Sequence, residues 1–213
     1  MKTTPDPLTA IVDVDVAARA GWTTLDLVAA FLRGGARFLQ LRAKSMPGAE
    51  LLATASAVVQ LARRHQACVI VNDRADIARL AGADGVHVGQ EDLTPAAVRA
   101  IIGDVALVGL STHTSAQVDR ALREPVNYLA IGPVFGTATK STGYEPVGLG
   151  MVREAARRAT GRGLPLVAIG GITIETAASV LDAGASSVAI ISDLIGTGDP
   201  EGRVRAYLER LSR

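Results

Sequence analysis

Several short apolar runs in this chain end in residues that could do chemistry. The first is Gln40-Leu41-Arg42-Ala43-Lys44. Alternate residues of an extended segment share a face, so Gln40, Arg42 and Lys44 point together. An amide and two cations gathered on one face need an anionic partner. A bound ligand could supply it, or Glu50 at a solvated rim. Two further runs end in Asn72-Asp73-Arg74 and Gly89-Gln90-Glu91-Asp92. Carboxylates at Asp73 and Asp92, facing cations and with few soft ligands nearby, suit Mg²⁺ shared with substrate phosphates. The plainer alternative makes each of them a helix N-cap. Gly170-Gly171 precedes a helical stretch, and Ile191-Ser192-Asp193 follows another apolar run. Glycines with a small polar residue let backbone N–H groups approach a phosphate. The loop Gly132-Pro133-Val134-Phe135-Gly136-Thr137-Ala138-Thr139-Lys140 has the same character, with Lys140 adding a point charge. An ordinary surface loop with a solvated lysine is its plain alternative. Ser111-Thr112-His113 contributes hydroxyls. His87 and His113 are too few for a zinc site, and His87 is expected to be a hydrogen-bonded structural residue.

The elements that must position these residues alternate regularly. Strands are expected at 8–13, 37–42, 67–71, 84–88, 106–110, 127–131, 165–169 and 186–191, as short continuous apolar runs. Helices are expected at 24–33, 48–65, 74–81, 94–102, 115–123, 148–160, 174–183 and 200–212. Thr23 or Thr24 is placed to cap the first of these, and Asp199 with Pro200 to open the last. Strands of this kind belong to a parallel sheet covered on both faces. Eight strand–helix units close into a (β/α)₈ barrel, a single α/β domain over residues 1–213. An open doubly wound sheet would need a glycine-rich turn after the first strand, where Asp13-Val14-Asp15-Val16 stands instead. In a barrel, the C-terminal strand ends carry the site. The clusters then imply two anionic groups: a pyrophosphate-like group with metal over strands two to four, and a phosphate over strands seven and eight.

Composition narrows the classes. A net charge of +1 and 3% aromatic residues give no nucleic-acid surface and no polybasic membrane contact. No apolar stretch is long enough for a membrane span, and the start lacks an apolar signal core. The single cysteine, Cys68, lies in an apolar run and reads as a small core residue. These features lead to the expectation of a cytoplasmic protein acting on small molecules. A homo-oligomer is compatible with everything in the sequence.

Taken together, the six motifs quoted above, with His87-Val88 preceding Gly89 and Ala168-Ile169 preceding Gly170, resemble the thiamine-phosphate synthase family in order and spacing. The resemblance implies a transferase that joins a hydroxymethylpyrimidine diphosphate to a thiazole phosphate and releases pyrophosphate, with Mg²⁺ as cofactor. By position, it assigns Gln40, Leu41, Arg42, Ala43, Lys44 and Asn72 to the pyrimidine diphosphate, and Asp73 and Asp92 to the metal. It assigns Ser111 and Lys140 to the diphosphate or its leaving group. Thr137, Thr139, Gly171, Ile191 and Ser192 fall to the thiazole phosphate, and Ala138 is assigned to substrate binding. Arg42, Lys44, Lys140 and Ser111 are the implied catalytic set.

Two departures stand out. The first strand reads Leu8-Thr9-Ala10-Ile11-Val12-Asp13, where the family often has a Leu-Tyr-x-Val-Thr-Asp-like start. Asp193 follows Ser192 where a small apolar residue is expected, and is expected to face out or cap the next turn. Three rivals remain: a thiazole tautomerase on the same barrel, a non-catalytic thiazole- or thiamine-phosphate binding protein, and a sugar-phosphate aldolase using Lys44 or Lys140 as a Schiff base.

Overall fold

The computed structural model describes residues 5–136 and 143–212. Eight parallel strands close a barrel in sequence order: β1 (Leu8–Asp13), β2 (Phe38–Arg42), β3 (Cys68–Asn72), β4 (Gly85–Val88), β5 (Leu107–Thr112), β6 (Tyr128–Ile131), β7 (Leu166–Ile169) and β8 (Ser187–Ile190). Between and after them run α1 (Val14–Arg19), α2 (Thr24–Arg33), α3 (Gly48–Arg64), α4 (Ala75–Ala81), α5 (Pro95–Ile102), α6 (Ser115–Ala121), α7 (Gly148–Thr160), α8 (Ile174–Asp182) and α9 (Pro200–Leu211). The expected barrel is therefore present. Most boundaries move by a residue or two, as helix and strand ends do. β5 extends further, taking Ser111 and Thr112 into the sheet. The short helix α1 was not expected; Asp13 caps it by accepting from the Val16 N–H at 3.1 Å.

Local chemistry explains the helix starts. Thr23 caps α2 through the Asp26 N–H at 3.1 Å, and Asp199 caps α9 through the Gly202 N–H at 2.9 Å. Alternation along each strand divides the core in two. Leu39 and Leu41 of β2 face the helix layer with Val69, Val71, Val86 and Val88. Phe38 faces the barrel interior with Ile11, Ile70, Leu107, Tyr128 and Val167. The interior is thus filled by layered side chains, and the mouth is left to the strand ends and following loops.

Candidate active site

On the β1–β4 arc of the mouth, charged groups meet across neighbouring strands. Asp13 and Arg42 are register partners on β1 and β2, so their side chains emerge on one face. The Arg42 guanidinium donates to the buried Asp13 carboxylate. Gln40, buried one layer below, donates its amide to Asn72 Oδ1 at 3.0 Å. Lys44 lies beyond the end of β2 and reaches Asp73. Both cations have carboxylate partners in the mouth, and neither described pairing involves Glu50. Leu41 and Ala43 pack into the outer layer, so their side chains do not enter the mouth. At those two positions, alternation leaves only main chain for a ligand.

Asp73 and Asp92 do converge, with their carboxyls within hydrogen-bonding reach of each other. Burial holds the Asp73 carboxyl above its ordinary value; Lys44 opposes this and Asp92 adds to it. Asp92 is fixed from behind by the Gly89 N–H at 2.7 Å. Asp73 takes the left-handed conformation, φ +64°, and its N–H donates to the His87 carbonyl at 2.8 Å. Neither carboxylate is a helix cap. The residue before α5 is Thr94, which accepts from the Ala97 N–H at 3.3 Å, and α4 starts after Arg74 with no side-chain cap. Among the described residues, no group of three or more His, Cys, Asp or Glu gathers as a metal cage. An ion here would complete its shell with water and substrate oxygens, as Mg²⁺ prefers.

Beneath the mouth, His87, Gly109 and Tyr128 are register partners in a buried row across β4, β5 and β6. Gly109 has no side chain, so the His87 and Tyr128 rings meet across it with centroids 5.5 Å apart. His87 Nδ1 lies 3.0 Å from the Tyr128 hydroxyl and Nε2 lies 2.8 Å from Ser111 Oγ. Burial raises the Tyr128 hydroxyl far above its ordinary value, so it stays neutral. The ring is therefore a hydrogen-bonded structural group, and it also orients Ser111. A neutral imidazole has one donor and one acceptor. When Tyr128 donates to Nδ1, Nε2–H donates to Ser111, and the serine proton is left to turn into the mouth.

The β5–β8 arc encloses a cavity of about 500 Å³, lined among others by Ser111, His113, Pro133, Ile169, Gly171 and Ser192. Its walls are largely apolar. The chain leaving β6 is pinned to β7, with the Val134 N–H on the Ile169 carbonyl at 2.9 Å and the Phe135 N–H on the Gly170 carbonyl at 3.0 Å. Gly171 has φ +63°, and a Cβ there would stand 2.8 Å from Phe135 backbone carbon. That glycine thus serves the packing of the β6 turn as well as any ligand. His113 Nδ1 donates to the Gly132 carbonyl at 2.5 Å, and its ring stacks on Tyr144 at 4.0 Å. Ile191 and Ser192 line the cavity at the start of a one-turn 3₁₀ helix, Ser192–Leu194. Asp193 also lines it, yet its carboxylate is engaged by Arg203 and Tyr207 of α9. Thr137, Ala138, Thr139 and Lys140 lie outside the described residues.

Asp13, Tyr128, Gly109 and Arg203 contact the candidate site residues although the sequence did not single them out. Only Asp13 left a usable signal, as an acidic residue at the C-terminal end of a barrel strand.

Comparisons with known proteins give the family. Residues 8–194 match the family model described as thiamine monophosphate synthase. The chain is 44% identical over 185 residues to a thiamine-phosphate synthase from Roseiflexus castenholzii, covering 87% of this chain and 80% of that one. It is 43% identical over 199 residues to a thiamine-phosphate synthase from Thermus thermophilus, covering 92% and 94%. The solved thiamine phosphate pyrophosphorylase from Pyrococcus furiosus superposes with a TM-score of 0.85 at 28% identity, covering 96% and 95%. On these matches, the chain belongs to the thiamine monophosphate synthase family.

Proposed function

We propose that this barrel joins 4-amino-5-hydroxymethyl-2-methylpyrimidine diphosphate to hydroxyethylthiazole phosphate, giving thiamine phosphate and pyrophosphate. The observation that carries the reading is the convergence of Asp73 and Asp92 opposite an apolar cavity on the same mouth. A tautomerase or a simple phosphate binder has no use for that pair.

The residues fit Mg²⁺. The arc sets the carboxylates of Asp13, Asp73 and Asp92 against the cations of Arg42 and Lys44. That surplus of carboxylate would repel a diphosphate unless a divalent cation reversed the local sign. Asp73 and Asp92 would hold the ion, which when bound supplies positive charge to the leaving pyrophosphate.

Arg42 and Lys44 also face the diphosphate, with Asp13 aiming the guanidinium from below. The Gln40–Asn72 amide pair lies where it can meet the pyrimidine ring. The C–O bond to pyrophosphate breaks, and the electron-rich aminopyrimidine spreads the positive charge left on the methylene. Ser111, turned by His87 and Tyr128, donates a hydrogen bond to the departing oxygen. The thiazole nitrogen then forms the new C–N bond from its own lone pair, so no general base is required. Its phosphate, held near Gly171, Ile191 and Ser192, keeps it in line. Roles for Lys140 at the leaving group, for Thr137 and Thr139 at the thiazole phosphate, and for Ala138 in substrate binding rest on the sequence resemblance. No helix among the described residues is long and apolar enough to cross a membrane, which fits a cytoplasmic enzyme of small molecules.

The test is incubation of the purified protein with both substrates and Mg²⁺. Thiamine phosphate and pyrophosphate should appear in equal amounts, and only when both substrates are present. Isomerisation of a thiazole phosphate without any diphosphate would instead assign the tautomerase.

Gly171→Val checks the thiazole half separately. The added side chain strains a left-handed backbone and pushes the Phe135–Gly136 turn away from β7. Overpacking of this kind costs about 1–3 kcal/mol, so the thiazole phosphate KM should rise about tenfold or more. The diphosphate KM should change less than about twofold, because that group lies across the mouth. A loss confined to the diphosphate would place the thiazole phosphate elsewhere.

A further inference from the structure

Asp193 lines the cavity beside Ser192, where a carboxylate turned inward would repel an incoming phosphate. The helix behind it answers that charge. Arg203 Nη2 donates to Asp193 Oδ1 at 3.0 Å and Oδ2 at 2.8 Å, and Nε lies 3.2 Å from Oδ2. The same Nε also reaches the Asp193 carbonyl at 3.3 Å, so Arg203 grips main chain and side chain together. Tyr207, fully buried, donates its hydroxyl to Asp193 Oδ2. The guanidinium carbon stands 5.6 Å from the Tyr207 ring centre. Glu175, in the first turn of α8, also feels the Arg203 charge.

Anchoring α9 does not need this cluster. Val204 and Leu211 are buried in the core, and Asp199 caps the helix. A partly buried ion pair is also weak as a source of stability. What the cluster does touch is the turn Ser192–Leu194 at the cavity wall.

We propose that Arg203 and Tyr207 are positioning residues for the thiazole phosphate: they turn the Asp193 carboxylate toward α9 and neutralise it, so that the Ser192–Leu194 turn meets the anion without a repelling charge. This inference rests on the placement of that phosphate over β7 and β8.

The test is a set of steady-state measurements on wild type, Arg203→Met, Asp193→Asn and the double variant, each with a melting curve. Arg203→Met leaves the Asp193 carboxylate without its counter-ion, and the KM for thiazole phosphate should rise roughly tenfold while kcat and the diphosphate KM stay within about twofold. Adding Asp193→Asn removes the charge, keeps an acceptor for Tyr207, and should bring the KM back to within about threefold of wild type. A merely structural role predicts the opposite, with the double variant at least as impaired as Arg203→Met. That outcome, or an unchanged KM in Arg203→Met, would overturn the inference. Ser192→Asp separates this from the underlying assignment by placing a carboxylate directly on the turn. If Ser192→Asp raises the thiazole KM and Arg203→Met does not, only the role of Arg203 falls. If neither variant changes it, the phosphate does not sit on this arc and both readings fall.

Discussion

Asp92→Asn and Asp73→Asn should each lower kcat/KM at saturating Mg²⁺ by roughly 10³-fold, the scale seen when a preorganised charge at a developing anion is removed. The reason lies in the charge balance of the arc. Asp73 is buried beside Asp92 and already shares Lys44. Taking away one carboxylate halves the protein's grip on the ion, and without Asp92 the remaining Asp73 stays on Lys44. Asparagine is the right probe because its shape is nearly the same and it tolerates left-handed backbone. Alanine at position 73, held at φ +64°, would add about 1–2 kcal/mol of strain and blur the result. The melting temperature should hold or rise slightly, since two crowded carboxylates become one. Turnover should also vanish in EDTA and return with added Mg²⁺. Full activity in EDTA would refute the metal assignment, whatever the variants do.

Gly109→Ala should be a strongly damaging single methyl in the barrel. A Cβ built there falls 2.1 Å from Tyr128 Cζ and 2.4 Å from both the Tyr128 hydroxyl and His87 Nδ1. These are not flexible chain ends: both rings are buried and hydrogen-bonded to each other. Overpacking at such a site costs about 3 kcal/mol, which in a domain of this size lowers Tm by roughly 6–12 °C. Turnover should fall as well, because a displaced His87 no longer holds Ser111 at hydrogen-bonding distance. Pairing the change with Tyr128→Leu makes room for the methyl and should recover part of the Tm. Activity should not return, since the hydroxyl that sets the imidazole is gone. Recovery of both would mean that the buried row matters for packing alone. Differential scanning fluorimetry beside initial rates reads both quantities.

These two sites differ in how far the sequence exposed them. Asp73 and Asp92 could be found because each follows an apolar run, and in a parallel barrel the end of such a run is the mouth. Eight alternating units made the architecture readable for the same reason: burial on both faces leaves continuous apolar strands. Gly109 and Tyr128 lay inside such runs, where a glycine and an aromatic look like core. Their relation is one of register between strands, and spacing along a single chain does not encode it. Arg42 and Lys44 were seen as cations in need of partners. The partners came from β1 and β3, however, and Glu50 fitted only as the nearest acid in sequence. Asp193 stood out as unusual, but its answer lay on α9. Helix α1 escaped because six residues are too few to show a period; the clue was the capping aspartate in front of it.

The seam between the first and last strands has a consequence for how the molecule is made. Thr9 and Ser187 share a buried hydrogen bond at 2.9 Å across a separation of 178 residues, and Leu8 pairs with Val188 beside them. Nothing nearer in the chain can take that place on β1. Closing a loop of that length costs on the order of 5 kcal/mol in chain entropy, beyond a fixed starting term. While the polypeptide is being synthesised, the first strand therefore carries an open edge until β8 has left the ribosome. Through that interval the barrel is an incomplete sheet able to pair with a neighbouring chain. The ring that gives the mouth its two facing arcs is thus sealed late, and the nascent protein is most exposed to aggregation just before it becomes able to bind anything.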